Sequence, residues 1–326
     1  MFKTILAALF IVHFAHSVQF ENSSFSETYI TTDEINQWLE QFDPEDRTNA
    51  KLLLSTIDFY PYKRVMNELV LAHGKLLDKL KEEGIPLSKV DFSKTYCAKS
   101  GDLTSYFYRK ANKLRGATFQ NIEALSNKSE DRSDRCLVLL EDYIGSGIQF
   151  LYGCYGRKHA EFFNSYRKVI LVVLVANTQA IQRFELLKEG NNDLVAQEFA
   201  RIICPLDLTP EQEMLEMIKK IPKDKLELIY VKEERPIVET LSTTDERNAI
   251  ESLLNKYTLT KYLGGNFAIQ GHTVFFYSTP NNLPEILWNT RSKKRDGFPW
   301  IPLFHRVEDL SIYYGGRLVP EEEQVW

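Results

Sequence analysis

The sequence predicts an α/β fold in which a mostly parallel sheet is flanked by helices. Two apolar runs, "DRCLVLLED" and "KVILVVLVAN", read as strands, the second apolar on both faces as parallel strands are. Segments of helical periodicity separate these runs from each other and from further strand candidates, and such alternation places helices on both sides of a sheet. The length of 326 residues, with 44% hydrophobic and 26% charged, suits one large folded domain with additions, or two domains.

The elements follow in order. Residues 1–25 are an apolar N-terminal segment; "MFKTILAALFIVHFAHS" has an early lysine, an apolar stretch, then Ala15 and Ser17 at small-residue cleavage spacing. That pattern resembles a secretory signal, and an apolar helix packed on the body or an upstream start codon are the alternatives. Asn-x-Ser sequons stand at Asn22 and Asn127, short matches that arise often by chance. Residues 26–84 read as a helical lead-in. In "TTDEINQWLEQF", Thr32 or Asp33 caps a helix that carries Ile35, Trp38, Leu39 and Phe42 at helical spacing. A second helix begins near Pro44 with Asp43 as N-cap, and a third runs through "VMNELVLAHGKLLDKLKEEG" to a close at Gly84.

Residues 85–258 form the alternating core. "VDFSKTYCA" is a short strand, and "DLTSYFYRKANKL" is either a helix or a loop with helical ends. "DRCLVLLED" leads through a Gly-rich turn into a helix from about Gln149 to Arg167; "KVILVVLVAN", the helical "AIQRFELLKEG" and the strand "KLELIYVKEE" follow. Residues 259–326 change in character. They are rich in Gly, Pro, Asn and aromatics, with "HTVFFYS" as a strand and "TPNNLPEILW" as a turn into a short helix.

The net charge of −5 gives no support for a nucleic-acid surface; the five-residue run Arg291 to Arg295 reads as a solvated loop. Cys97, Cys136, Cys154 and Cys204 make no CxxC pair, so no zinc site is expected, and the pattern reads as a reducing compartment. No stretch after the N-terminal segment reaches the roughly 18 apolar residues of a membrane span. No Ser-His-Asp order, HExxH motif or Walker loop is present. His159, His272 and His305 each read as structural, and Arg306 is open between pairing with Glu141 and binding phosphate.

The chemistry concentrates in "CLVLLEDYIGSGIQF". In an open parallel sheet, ligands bind outside the carboxyl ends of the strands. Glu141 and Asp142 sit at that end and, as strand neighbours, point to opposite faces. They suit an extended ligand bearing hydroxyls, with or without a hydrated cation. Gly145 and Gly147 let backbone N–H groups turn inward, and the following helix start adds a positive end. A loop of that kind is an anion site, most often for phosphate. Acids for hydroxyls beside a loop for phosphate describe a ribose 5-phosphate.

This arrangement resembles the signature of the phosphoribosyltransferase superfamily: four apolar strand residues ("LVLL"), two acids ("ED"), two variable residues ("YI") and a Gly/Ser-rich loop ("GSG"). "QWLEQF", "AKSGDLTSYFYRKAN" and "FFYSTPNNLPEILW…WIPLFHR" further resemble the phosphoribosyltransferase-like PRTase-CE type, proteins associated with conflict and defence systems, over roughly residues 30 to 310. The resemblance implies a type I phosphoribosyltransferase-like core over 85–258 with a C-terminal hood over 259–326. It implies phosphoribosyl pyrophosphate (PRPP) or a related ribosyl phosphate as substrate, with Mg²⁺ as cofactor. Glu141 and Asp142 hold the ribose hydroxyls and, through water or those hydroxyls, the metal. The backbone of Ile144, Gly145, Ser146, Gly147 and Ile148, with Gln149, holds the 5-phosphate. Gln149 departs from the usual Thr or Ser, and Glu141 replaces the commoner Asp.

By position, Lys99, Ser100 and Gly101 match the pyrophosphate loop, which a plain strand-to-helix turn explains equally well. Arg109 is the candidate from a mobile loop over the leaving group, against a solvated basic helix face. Tyr277, Asn281 and Asn282 fall where an acceptor binds, against a Pro-Asn turn; Trp288 reads as core. The expected function is transfer at the anomeric carbon to an unknown acceptor. The alternatives are a non-catalytic nucleotide or PRPP sensor in a defence or stress pathway, and a secreted binding protein that kept only the fold. The reading admits a homodimer without requiring one. PRPP chemistry favours the cytoplasm, and a cleaved signal over 1–17 would make the protein secretory.

Overall fold

The structure is a computed structural model that describes residues 30–95, 99–128, 130–148, 150–151, 160–203, 216, 218–219, 221, 224–258, 270–280, 282–289 and 300–304. The apolar N-terminal segment, Asn22, Cys97, Gln149, Cys154, His159, Cys204, Asn281, the basic run 291–295, His305 and Arg306 lie outside the described residues. The chain divides into two compact units, one formed by residues 1–61 with 237–326 and the other by residues 62–236.

In the first unit the chain opens with helices α1 (Thr32–Glu40) and α2 (Arg47–Ser55) and the short strand β1 (Asp58–Tyr60). Thr31, not Thr32 or Asp33, is the N-cap of α1: its side chain accepts the Glu34 N–H at 3.2 Å while Glu34 Oε2 accepts the Thr31 N–H at 2.7 Å. Among the candidate caps, Thr31 alone has a Glu three residues on, which closes a capping box. Helix α2 starts later than the sequence suggests, with Asp46 rather than Asp43 at its N-cap. Asp43 is instead tied to the helix Thr244–Tyr257: its backbone N–H donates to the Tyr257 hydroxyl at 2.9 Å, and Lys256 Nζ lies 2.8 Å from its carboxylate.

The second unit begins with α3 (Tyr62–Glu82), whose Val65, Leu69, Ala72, Leu76 and Leu80 form one buried stripe. Gly84 then takes φ +63, the left-handed conformation of a helix C-terminal glycine. Next come β2 (Val90–Lys94), α4 (Lys99–Ala111), α5 (Ile122–Ser126), β3 (Cys136–Ile144), α6 (Ala160–Ser165), β4 (Lys168–Asn177), α7 (Thr178–Lys188), α8 (Asn192–Ile203) and β5 (Leu226–Glu234). The stretch left open between helix and loop is therefore helical through Ala111. The sequon residue Asn127 is exposed at the C-cap of α5.

The four strands pair in the order β2-β3-β4-β5, all parallel. Every residue of β4 is buried, so both faces of the sheet are covered there. Helix α3 packs on β4 and β5, α4 on α3, β2 and β3, and α7 on β4, β5 and α8. An isolated parallel bridge joins Phe119 to Phe92 of β2, whose other edge already pairs with Val138 of β3. The chain thus leaves β2 toward one side and returns to β3 on the other. That makes β2/β3 a topological switch point, where open α/β sheets bind ligands.

Cys136 opens β3 and is fully buried. Burial is the main force on its thiol and pushes it up to about 12, against the opposing pull of the Lys168 charge. Because the thiolate is the reactive form, Cys136 is expected to stay unalkylated by iodoacetamide at pH 8 in the native protein and to label once denatured. Peptide mapping distinguishes it from the other three cysteines.

The first unit is completed by α9 (Ile237–Thr240), α10 (Thr244–Tyr257) and β6 (Thr273–Phe275), which pairs in parallel with β1. Its core gathers Trp38, Phe42, Leu53, Leu254, Ile286 and Trp300. The indole N–H groups of Trp38 and Trp300 both donate to the Ile286 carbonyl at 2.9 Å. Trp288 is core as expected and donates to the Leu283 carbonyl.

Candidate functional site

Strand β2 ends at Lys94, opposite Leu140. Glu141, Asp142, Tyr143 and Ile144 continue β3 past that end, so the two acids lie within the strand rather than just after it. On the other edge β4 borders this extension at Val173, Val175 and Ala176. Glu141 is half-buried, and Thr95, the first residue after β2, donates its hydroxyl to Glu141 Oε2. Asp142 is 4% exposed and points to the opposite face of the sheet.

Tyr143 shares the Glu141 face and donates its hydroxyl to Glu234 Oε2 at the end of β5. Burial first, and the Glu234 charge second, push the phenol well above its ordinary range, so Tyr143 stays protonated and remains the donor.

The loop after β3 is built against α7. Gly145, Ser146, Gly147 and Ile148 are all buried. Gly147 takes φ +77. A Cβ there would meet Phe184, Ala180 and Leu151 at 3.8 to 3.9 Å, ordinary contacts, so the backbone conformation and not space calls for glycine. Gly147→Ala is expected to cost about 1–2 kcal/mol of stability, the penalty of a left-handed L-residue, read by chemical denaturation.

Ser146 Oγ accepts the Ile148 N–H at 3.2 Å, and Arg183 of α7 donates Nη1 to the Ser146 carbonyl at 2.7 Å. Arg183 is itself buried and paired through Nε with Glu198 at 3.1 Å. Burial pulls its guanidinium down and Glu198 pulls the other way.

Helix α4 opens at Lys99, Ser100 and Gly101, directly past the end of β2. Its first turn is anchored there by Lys94, whose Nζ lies 2.6 and 2.7 Å from the two oxygens of Asp102. Arg109 is not brought into this group. It lies seven residues beyond Asp102, about 10 Å further along the helix at 1.5 Å per residue. There it sits over the Tyr106 ring at 5.9 Å, beside Gly116. Of the two readings left open for this stretch, the helix holds through Ala111 and carries Arg109 on it.

Tyr277 and Asn282 belong to the other unit. Tyr277 stacks on Phe275 at 5.7 Å, and buried Asn282 accepts the Gly271 N–H through its backbone carbonyl at 2.9 Å. His272 is buried, and its carbonyl accepts the Asp58 N–H at 2.8 Å.

Residues 35–306 match the family model PRTase-CE. The chain belongs to the PRTase-CE family. It is accordingly a phosphoribosyltransferase-like protein, and its parallel sheet with flanking helices is the fold the resemblance implies. No curated protein matches this PRTase-CE chain.

Among the described residues, Asp43, Glu45 and Asp46 bring three carboxylates within 4.8 Å of one another. Lys256 Nζ already stands among them, 2.8 Å from Asp43 and 2.6 Å from Asp46, and supplies the positive charge they require. Glu141 and Asp142 offer the hard oxygen donors that Mg²⁺ takes. Their opposite orientations fit an ion held through water or ligand hydroxyls rather than by both side chains directly.

Sequence reasoning passed over Thr95, Asp102 and Arg183. Asp102 closes the stretch "KSGD" and Thr95 stands four residues before it, and both gain meaning only from where β2 stops. Arg183 stands inside a helical crossover, and no spacing rule marks it as the residue that meets a loop carbonyl.

Proposed function

We propose that this PRTase-CE chain is a Mg²⁺-dependent phosphoribosyltransferase acting on PRPP or a related ribosyl phosphate. The observation that carries the reading is the carboxyl end of β3. Two acids extend past the end of β2 at a switch point, and a left-handed glycine loop follows them. In this reading Glu141, steadied by Thr95, and Asp142 take the ribose hydroxyls and support positive charge developing at the anomeric carbon. The backbone from Ile144 to Ile148 receives the 5-phosphate, and the start of α4 at Lys99, Ser100 and Gly101 receives the pyrophosphate. Glu141 and Asp142 would hold Mg²⁺ through water or ligand hydroxyls, and the ion would supply positive charge to the leaving pyrophosphate. The bond from the anomeric carbon to pyrophosphate breaks as a bond to the acceptor forms. Arg109, Tyr277 and Asn282 have no part in the reading.

A second reading is a sensor that binds PRPP or a nucleotide without turnover. One observation favours it: Ser146 Oγ already holds the Ile148 N–H, one of the donors a phosphate would use. Calorimetry with PRPP and Mg²⁺, run beside a pyrophosphate-release assay, decides. Binding with release supports the transferase, binding without release the sensor, and no binding overturns both.

A further inference from the structure

We propose that the first unit carries a binding site for an ammonium or guanidinium group on a short aliphatic stem, separate from the ribosyl phosphate site. The site is a cleft of about 410 Å³ lined by Leu52, Ser55, Thr56, Thr240, Leu241, Ser242, Glu246 and His272. Its volume lies within the range of small-molecule pockets.

The hydrogen bonds decide which ligand it takes. Ser55 donates its hydroxyl to the Leu52 carbonyl, Thr56 to the Leu53 carbonyl and Thr240 to the Ile237 carbonyl, each at 2.7 Å. With their hydrogens spent, these three hydroxyls face a ligand only as acceptors. Glu246 adds a carboxylate, another acceptor. The amide donors at the start of α10 are also spent: Ser242 N–H and Thr243 N–H go to Glu246 Oε2 at 3.0 Å, and Glu246 N–H goes to Thr243 Oγ1 at 3.1 Å. That helix start therefore offers a phosphate or carboxylate little.

Ser55 and Thr56 instead close α2, the negative end of a nine-residue helix with no basic residue in its last turn. A cation is favoured at such an end. No lysine or arginine is among the described residues that line the cleft; Arg247 donates to the Leu241 carbonyl and is not one of them. Leu52 and Leu241 supply apolar surface for the stem. A free small cation and the side chain of a lysine or arginine on another protein share this chemistry.

The test is titration of the full chain with n-butylguanidinium, using n-butanol as neutral control and butyrate as anionic control, by calorimetry and by NMR shifts of methyl groups in Leu52 and Leu241. Only the cation is expected to bind. Glu246→Gln keeps the capping hydrogen bonds, since Gln also serves at that helix position, and is expected to weaken the cation about tenfold, or ~1.4 kcal/mol. A peptide amide of lysine or arginine, titrated in parallel, shows whether a protein side chain is accepted as readily as the free cation. Equal binding of butanol, or unchanged affinity in a folded Glu246→Gln protein, overturns the proposal. Neither result touches the ribosyl phosphate reading, which rests on the other unit.

Discussion

Asp142→Asn is expected to lower PRPP turnover by about 10²–10³-fold, the usual loss when one preorganised electrostatic contact to a transition state is removed. Asp142 is 4% exposed within β3, held by the strand itself. The amide is isosteric, so packing between the sheet and its covering helices is preserved. In the proposed reaction, what disappears is a negative charge beside a carbon that gains positive charge as pyrophosphate leaves. Because Asp142 is itself buried, its charge acts through a local dielectric below that of water and its loss is poorly compensated. Pyrophosphate release reads the loss, and circular dichroism with a denaturant midpoint reads the fold. Wild-type turnover in a folded Asp142→Asn protein would remove Asp142 from the site. Glu141→Gln is expected to be milder, because its remaining oxygen still accepts the Thr95 hydroxyl.

How much of this was legible in the sequence depends on the range of the interaction. The buried strands were readable because "LVLL" and "VILVVLV" cannot be placed on a surface. Gly84 and Gly147 were readable because each adopts a left-handed conformation that few other residues accept. The cap at Thr31 was available from its Glu34 partner but was assigned one or two residues late. Longer-range facts were not legible. Where β2 stops relative to β3 depends on register, and that register is what brings Thr95 to Glu141. The stretch that carries Arg109 reads alike as loop or helix in the sequence, and only the folded chain makes it a helix through Ala111. The division of the chain between units is a matter of non-local contact: Gln41 binds the backbone of Ile301 through both ends of its amide, at 2.8 and 2.6 Å, across a sequence separation no local pattern records.

Arg183→Met is expected to cost about 2–3 kcal/mol of stability, the upper range for losing a hydrogen bond from a charged group and leaving its partner buried. The group left behind is the Ser146 carbonyl, which loses a 2.7 Å donor inside the buried loop. Glu198 adds little to the cost: its side chain is 39% exposed, so its charge returns to water once Arg183 is gone. The penalty for stranding a buried charge therefore does not apply in full. Methionine fills most of the arginine stem and keeps apolar contact with Phe199, whose ring lies 5.5 Å from the guanidinium carbon. The loss then falls on the loop and not on the core. Arg183→Lys should rescue only part of it, because one ammonium cannot hold both Ser146 and Glu198 in the planar geometry of a guanidinium. Denaturant midpoints measure the stability term. Calorimetry with PRPP measures a second: if the loop receives the 5-phosphate, both variants lose affinity in the same order, Met more than Lys. A full loss of stability with unchanged PRPP affinity would keep Arg183 as a structural clamp and take the phosphate away from this loop. Unchanged stability would mean that the Ser146 carbonyl finds another donor, and the clamp itself would fall.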